Sequence, residues 1–433
     1  MKKYFILLFI LLVISELFSQ GNWTRQQTSY TENLREIFFI DSLSGWIAGD
    51  SGIIIHTSNG GSNWITQSRI VNDYILDLFF INQNTGWAAA WNYDGSTQFS
   101  VIYKTTNSGF NWTRTLYPDT VYLINTIYFL NGQKGFIGCV NNGKGVIHYT
   151  NNGGLNWIRT NSDSNFVSTF PVRTIKFLNS NTGYAAGGYF DVSGVIWRTT
   201  DGGFNWTSQS VGGEPFNCIN FPAENVIHIS GGDYEFGVST AISYDTGNTF
   251  NYYTNGFFGI GYSASFRIPS EGWIATGYSQ CLLLTNDTGK SYTSIPSPDS
   301  TSFYGITFPN EYTGWAVGNE GAIYKYHATS IGIKNEMSEI PDDFIIVGNN
   351  YPNPFNASTN IEYTLSQKSK ITFRIFEISG KEIIKIEKGE MPAGSHYQNF
   401  SMAGFASGVY FVKTEAVAGF KNVSLIRKIV MLK

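Results

Sequence analysis

Along residues 22–327, hydrophobic and polar positions alternate in short runs, and four kinds of run recur in a fixed order. The first copy shows them as Ile37-Phe38-Phe39-Ile40, Gly45-Trp46-Ile47-Ala48-Gly49, Ile53-Ile54-Ile55-His56-Thr57 and Asn63-Trp64-Ile65-Thr66, each bounded by turn-forming residues. Such short β-branched and aromatic runs predict strands joined by tight turns rather than long amphipathic helices. The second run returns at Gly86, Gly135, Gly183, Gly272 and Gly314, with a degenerate copy at Val226–Gly231, making seven. A phrase bridging the third and fourth runs returns six times: TSNGGSNW from Thr57, TTNSGFNW from Thr105, TNNGGLNW from Thr150, TTDGGFNW from Thr199, SYDTGNTF from Ser243 and TNDTGKSY from Thr285.

The closing aromatics Trp64, Trp112, Trp157, Trp206, Phe250 and Tyr292 are 48, 45, 49, 44 and 42 residues apart. That is the length of a four-stranded propeller blade. Seven second runs against six phrases leave the last unit, ending at Tyr326, without its fourth strand. Gly21-Asn22-Trp23-Thr24-Arg25-Gln26 matches Ser62–Gln67 in kind and register. The expected fold is therefore all-β: a seven-bladed β-propeller over residues 20–327, its ring closed by the N-terminal strand so that no sheet edge is left open. Within the phrase, the Asn or Asp at Asn59, Asn107, Asn152, Asp201, Asp245 and Asp287 can accept backbone N–H groups in a turn, and the glycine two residues later tolerates positive φ. A group repeated in six equivalent turns reads as structural.

Composition agrees with this picture: aromatics are 16% and charged residues 14%, with 46 glycines. Residues 1–19, with two lysines, an apolar run and a small residue at the end, read as a cleaved secretory signal peptide. Its apolar run is shorter than the ~20 residues of a bilayer span, so the mature chain is expected to have no transmembrane span. The formal charge of -4 is split unevenly. Residues 344–433 hold 11 basic and 6 acidic side chains, against 17 and 26 before them. Neither part has a concentrated Lys/Arg stripe, which argues against nucleic acid. Cys139, Cys218 and Cys281 are odd in number and scattered, and read as small strand residues rather than a zinc site.

The repeat resembles the Asp-box (BNR) propellers, whose box reads S-x-D-x-G-x-x-W. It is more closely similar to the photosystem II stability/assembly factor-like propellers, which pair such a box with a G-W-x-x-G run. Three boxes carry Asn for Asp, and the last two replace Trp with Phe250 and Tyr292. Asp-box families include sialidases and other glycosidases, and Phe266-Arg267-Ile268-Pro269 spells the sialidase FRIP sequence. Here it aligns with the first strand of its unit and follows five boxes, where sialidases place it ahead of the first. No nucleophile elbow, phosphate loop or metal-ligand cluster stands out, so no catalytic residue, metal site or cofactor is assigned.

The richest chemistry lies in the loops between second and third strands, on the face opposite the boxes. Trp91, Tyr93 and Asp94, then Tyr189, Phe190 and Asp191, then Asp233, Tyr234 and Glu235 set aromatics beside carboxylates that could stack and hydrogen-bond a sugar or take a cationic peptide. The expected function is a secreted or surface-displayed, non-enzymatic binding propeller for a protein or glycan ligand. The alternative is a glycoside hydrolase on the same scaffold, which needs carboxylates in pairs ~5 to 9.5 Å apart.

After His327 the repeat stops. Residues 328–345 read as a linker, and residues 346–433 as a small β-sandwich of alternating strands. This block resembles the type A sorting domain of the type IX secretion system, through Tyr351-Pro352-Asn353-Pro354, then Gly380, then Gly408 with Tyr410. The resemblance implies recognition by the type IX machinery and delivery outside the cell or onto its outer surface.

Overall fold

The computed structural model describes residues 21–433 apart from 70–72, 94, 96–97, 118–122, 142–143, 329–344, 378, 420 and 433. The expected signal peptide and most of the expected linker lie outside the described residues. The chain forms two compact units, residues 1–331 and 332–433. The described residues contain strands and three short 3-10 turns and no α-helix.

In the first unit the strands form seven sheets, each a meander of antiparallel neighbours. The first sheet runs Leu34–Phe39, Gly45–Gly49, Ile54–Thr57, Ile65–Ser68. The next five repeat this order, and the fourth gains a two-residue parallel strand at Asn161–Ser162. In the seventh, Phe303–Thr307, Thr313–Gly318 and Ile323–His327 are joined by Asn22–Arg25, with Trp23 opposite Tyr326.

What holds sheet to sheet is an aromatic triad repeated from unit to unit. In six of the seven sheets a glycine at the start of the second strand leaves room for the phenylalanine of the first strand: a Cβ built on Gly45, Gly86, Gly135, Gly183, Gly272 or Gly314 would lie 2.4 to 2.6 Å from that ring. The aromatic after the glycine reaches the next sheet. Trp46 stacks on Phe80 at 3.6 Å, Trp87 on Phe129 at 3.6 Å, Phe136 on Phe177 at 4.7 Å and Trp315 on Phe39 at 3.8 Å. The box tryptophan then meets the same phenylalanine edge-on, Trp64 against Phe39 at 6.0 Å and Trp112 against Phe80 at 5.9 Å. Such ring pairs contribute about 0.5–1.5 kcal/mol each beyond burial. In the seventh sheet Trp23 takes the box tryptophan's place, 6.0 Å from Phe308.

The box turn is built around one oxygen. In the first box Gly61 N–H donates to Thr57 Oγ1 at 2.9 Å, Thr57 Oγ1 donates to Asn59 Oδ1 at 3.0 Å, and Asn59 Oδ1 accepts Asn63 N–H at 2.9 Å. The same three bonds recur in all six boxes. Only Oδ1 is required, so Asn serves where the box pattern has Asp. The aspartates use their second oxygen as well: Asp245 Oδ2 accepts Thr249 Oγ1 at 2.7 Å.

In the second unit Ile345–Tyr351, Ser358–Leu365 and Gly394–Ser401 form one sheet, and Glu382–Met391, Ser369–Glu377, Gly408–Ala418 and Lys421–Met431 the other. They share one core that includes Phe355, Tyr363, Phe373 and Phe400. The Asn353-Pro354 peptide bond is cis. Asn353 Oδ1 accepts Val430 N–H at 3.0 Å and Phe355 N–H donates to Val430 O at 2.9 Å, tying the motif to the last strand. Gly380 takes φ +83 in its turn, and Tyr410 Oη donates to Ala406 O at 2.7 Å.

Candidate functional site

The first strands of all seven sheets line one cavity of ≈ 540 Å³. Six of them carry a β-bulge near their start, and the bulged residue is Arg35, Leu76, Asn125, Arg173, Asn217 or Tyr304. A bulge adds one residue to a strand and re-aims its side chain. All six line the cavity. The bulges therefore set two arginines, two asparagines, Tyr304 and the apolar Leu76 around one mouth, on the side where the second strands end.

At this mouth the two arginines differ. Arg35 Nε and Nη2 donate to Asp50 at 2.5 and 3.0 Å, and its guanidinium lies 5.2 Å over Tyr304. Arg173 donates to Asn217 Oδ1 at 3.1 Å and lies 4.4 Å over Phe190. It has no carboxylate partner among the described residues, and burial pushes it down to about 10. Deeper in the cavity, burial and the neighbouring charge of Asp77 raise Glu36 well above the usual carboxylate range. Burial also raises Asp77, against hydrogen bonds from Thr126 Oγ1 at 2.7 Å and Ile127 N–H at 2.8 Å. Both carboxyls are therefore harder to ionise than a solvated one, Glu36 the more so because Asp77 keeps its hydrogen bonds.

The rim above this mouth carries the candidate loops. Asp191, Asp233 and Glu235 each offer a carboxylate oxygen within 4.8 Å of the others, close enough to share a cation. Asp191 and Glu235 are exposed and Asp233 is buried, its Oδ1 accepting Glu235 N–H at 3.0 Å and Phe236 N–H at 2.6 Å. Glu214, a residue that sequence reasoning missed, joins them. Its Oε2 accepts Asp191 N–H at 3.4 Å, and burial with the charges of Asp233, Asp191 and Glu235 raises its pKa. No local pattern signals Glu214, because it lies between sheets rather than in a second-to-third-strand loop. Tyr189, Phe190 and Tyr234 flank the cluster and are exposed.

The second sheet contributes differently. Trp91 is half-buried and its indole N–H donates to Ile124 O at 2.7 Å, bracing the third sheet. Tyr93 is exposed and donates to Gly95 O at 3.1 Å, while Asp94 lies outside the described residues. Arg267 is held by Glu271 through Nε at 2.6 Å and by Glu311 O at 2.8 Å, beside the first-to-second-strand turn and far along the strand from the rim. His228 is fully buried, pushed down to about 3, and bonded to Tyr292 Oη. That bond gives a physical reason for tyrosine in the sixth box.

The chain matches the model of the Photosynthesis system II assembly factor YCF48 family over residues 15–327. It belongs to this family. Residues 349–431 match the Secretion system C-terminal sorting domain. Among solved structures it is similar to YCF48 bound to D1 peptide, with TM-score 0.55, 19% identity, and coverage of 71% of this chain and 97% of that one. YCF48 from Cyanidioschyzon merolae gives TM-score 0.53 and 18% identity over 70% and 98% of the two chains. An ancestral GH74 enzyme gives TM-score 0.51 and 15% identity, over 92% of this chain and 60% of that one. At such identities the likeness concerns the fold, a β-propeller. No curated protein matches the chain. No helix among the described residues is long and apolar enough to cross a membrane.

Proposed function

We propose that the chain is a non-enzymatic binding propeller, exported through the type IX machinery by its sorting domain and working outside the cell or on its outer surface. Its seven sheets are read as the blades of a closed ring, with Asn22–Arg25 as the outer strand of the seventh. Two observations support closure: the pairing of Trp23 with Tyr326, and the stacking of Trp315 on Phe39, which repeats between last and first sheets the contact made between consecutive ones.

The ligand is assigned to the face opposite the boxes. One observation carries that assignment: loops of two neighbouring sheets bring Asp191, Asp233 and Glu235 within 4.8 Å of one another beside exposed Tyr189, Phe190 and Tyr234. Aromatic faces and convergent acceptors suit a peptide or a glycan. A peptide ligand has a precedent in the D1 peptide held by a YCF48 propeller. The glycosidase alternative is supported only by the likeness to an ancestral GH74 enzyme, which at 15% identity concerns the fold. The test is a screen of the secreted protein against peptide and glycan arrays, repeated with the Tyr189→Ala, Tyr234→Ala double variant. Loss of the hit supports the face, and an unchanged hit from a folded variant overturns it.

A further inference from the structure

The same face holds an aromatic platform that extends past the candidate loops and narrows the chemistry of the ligand. Tyr234 lies 5.6 Å from Phe258 and 6.1 Å from Tyr278, tilted by 42° and 46°, and its hydroxyl meets that of Tyr262 at 3.0 Å. Phe258 and Tyr278 are each 62% exposed, and Phe236, on the other side of the Tyr234 hairpin, is 55% exposed. Fifth- and sixth-sheet loops thus present ring faces to solvent. The carboxylates flank the same hairpin, since Asp233 and Glu235 are the chain neighbours of Tyr234.

The carboxylates on this surface are unpaired: among the described residues none of Asp191, Glu214, Asp233 and Glu235 forms an ion pair, although ten pairs form elsewhere. Of the two arginines at this mouth, Arg35 is paired with Asp50, whereas Arg173 lies over Phe190. Together with Arg35 over Tyr304, Arg173 shows that the aromatic rings of this face accept guanidinium groups. A neutral sugar could stack on the platform but would leave the carboxylates repelling one another. A bare divalent ion would neutralise the carboxylates and leave Tyr234, Phe258 and Tyr278 without a role. A lysine or arginine side chain uses both, its charged head among carboxylates and its apolar stem on a ring.

We propose that this face docks a lysine- or arginine-bearing segment of a partner protein, the cationic head entering the Asp191–Asp233–Glu235 cluster and the flanking residues covering Tyr234, Phe258 and Tyr278. The proposal rests on the reading that this face is the ligand-binding one. The experiment uses the secreted protein with labelled oligolysine, oligoarginine and oligoglutamate, calcium alone, and a glycan array, read by fluorescence anisotropy and calorimetry at two salt concentrations. Oligolysine or oligoarginine should bind, more weakly at higher salt, and oligoglutamate should not. Affinity should fall about tenfold or more in Asp191→Asn with Glu235→Gln, and separately in Tyr234→Ala with Tyr278→Ala. Circular dichroism checks that each variant is folded. Calcium binding that depends on the carboxylates while no oligocation binds would overturn the proposal in favour of a metal site. A glycan hit lost in the tyrosine pair, with no oligocation binding, would overturn it and leave the ligand-binding face standing. Oligocation binding that neither variant pair changes would overturn both.

Discussion

Replacing Trp23 with alanine tests whether the N-terminal strand is an integral part of the last sheet. Trp23 is half-buried and touches four rings: Tyr326 at 5.1 Å, Trp273 at 5.8 Å, Phe308 at 6.0 Å and Phe303 at 6.5 Å. Truncating a fully buried tryptophan costs about 3–5 kcal/mol. Discounted for the exposed part of the ring, Trp23→Ala should cost about 2–3 kcal/mol. Ile65→Ala is the matched control. It lies on the outer strand of the first sheet but is 65% exposed, so its cost should stay within about 0.5 kcal/mol. All 11 tryptophans lie between Trp23 and Trp315, so urea unfolding followed by tryptophan fluorescence reports the first unit alone. If Trp23→Ala unfolds at the same urea concentration as Ile65→Ala, the strand does not stabilise the sheet and the closure argument fails.

Three further outcomes are expected. Gly86→Ala would put a Cβ 2.5 Å from the Phe80 ring, and the overpacking should lower stability by about 1–3 kcal/mol in the same assay; a neutral effect would mean that the glycine is not required by packing. In the boxes, burial opposes ionisation of Asp201, but donors from Asn205, Thr199 and Phe204 hold it at about 2, and Thr249 and Ser243 hold Asp245 at about 2. Carboxylates depressed in the folded state stabilise it above their unfolded pKa and lose that contribution as pH falls through the folded value, so acid should weaken the wild type between about pH 4 and pH 2 more than an Asp201→Asn, Asp245→Asn variant, and equal acid profiles would refute this. Conversely, Glu36 binds its proton more tightly when folded, so stability falls as pH rises above its unfolded value; Glu36→Gln should gain on the wild type as pH rises above the usual carboxylate range, and a constant difference would refute the raised pKa.

The repeat was readable in the sequence because its physical demands are local. A box needs an acceptor two residues after a Thr or Ser and a glycine at positive φ, such as Gly61 at +82. In six sheets the second strand needs a glycine beside the phenylalanine of the first strand. These constraints act within one hairpin and so recur as letters at fixed spacing. They gave strand order, unit length and the match between Trp23 and the box tryptophans. The hydroxyl of Thr57 and its counterparts was equally visible, but its role emerged only from the bond it makes across the turn.

The site belongs to another class of information. Asp191, Glu214, Asp233 and Glu235 are separated by up to 44 positions in the chain, and their meeting depends on how two adjacent sheets are set against each other. The same holds for the bulged residues around the cavity, since a one-residue insertion that re-aims a side chain leaves no periodic mark. The sequence by itself determined the repeating scaffold and the sorting domain, because backbone and nearest-neighbour packing are written in short-range pattern. Only the tertiary structure decided which charges and rings share a surface, because that is fixed by contacts between sheets.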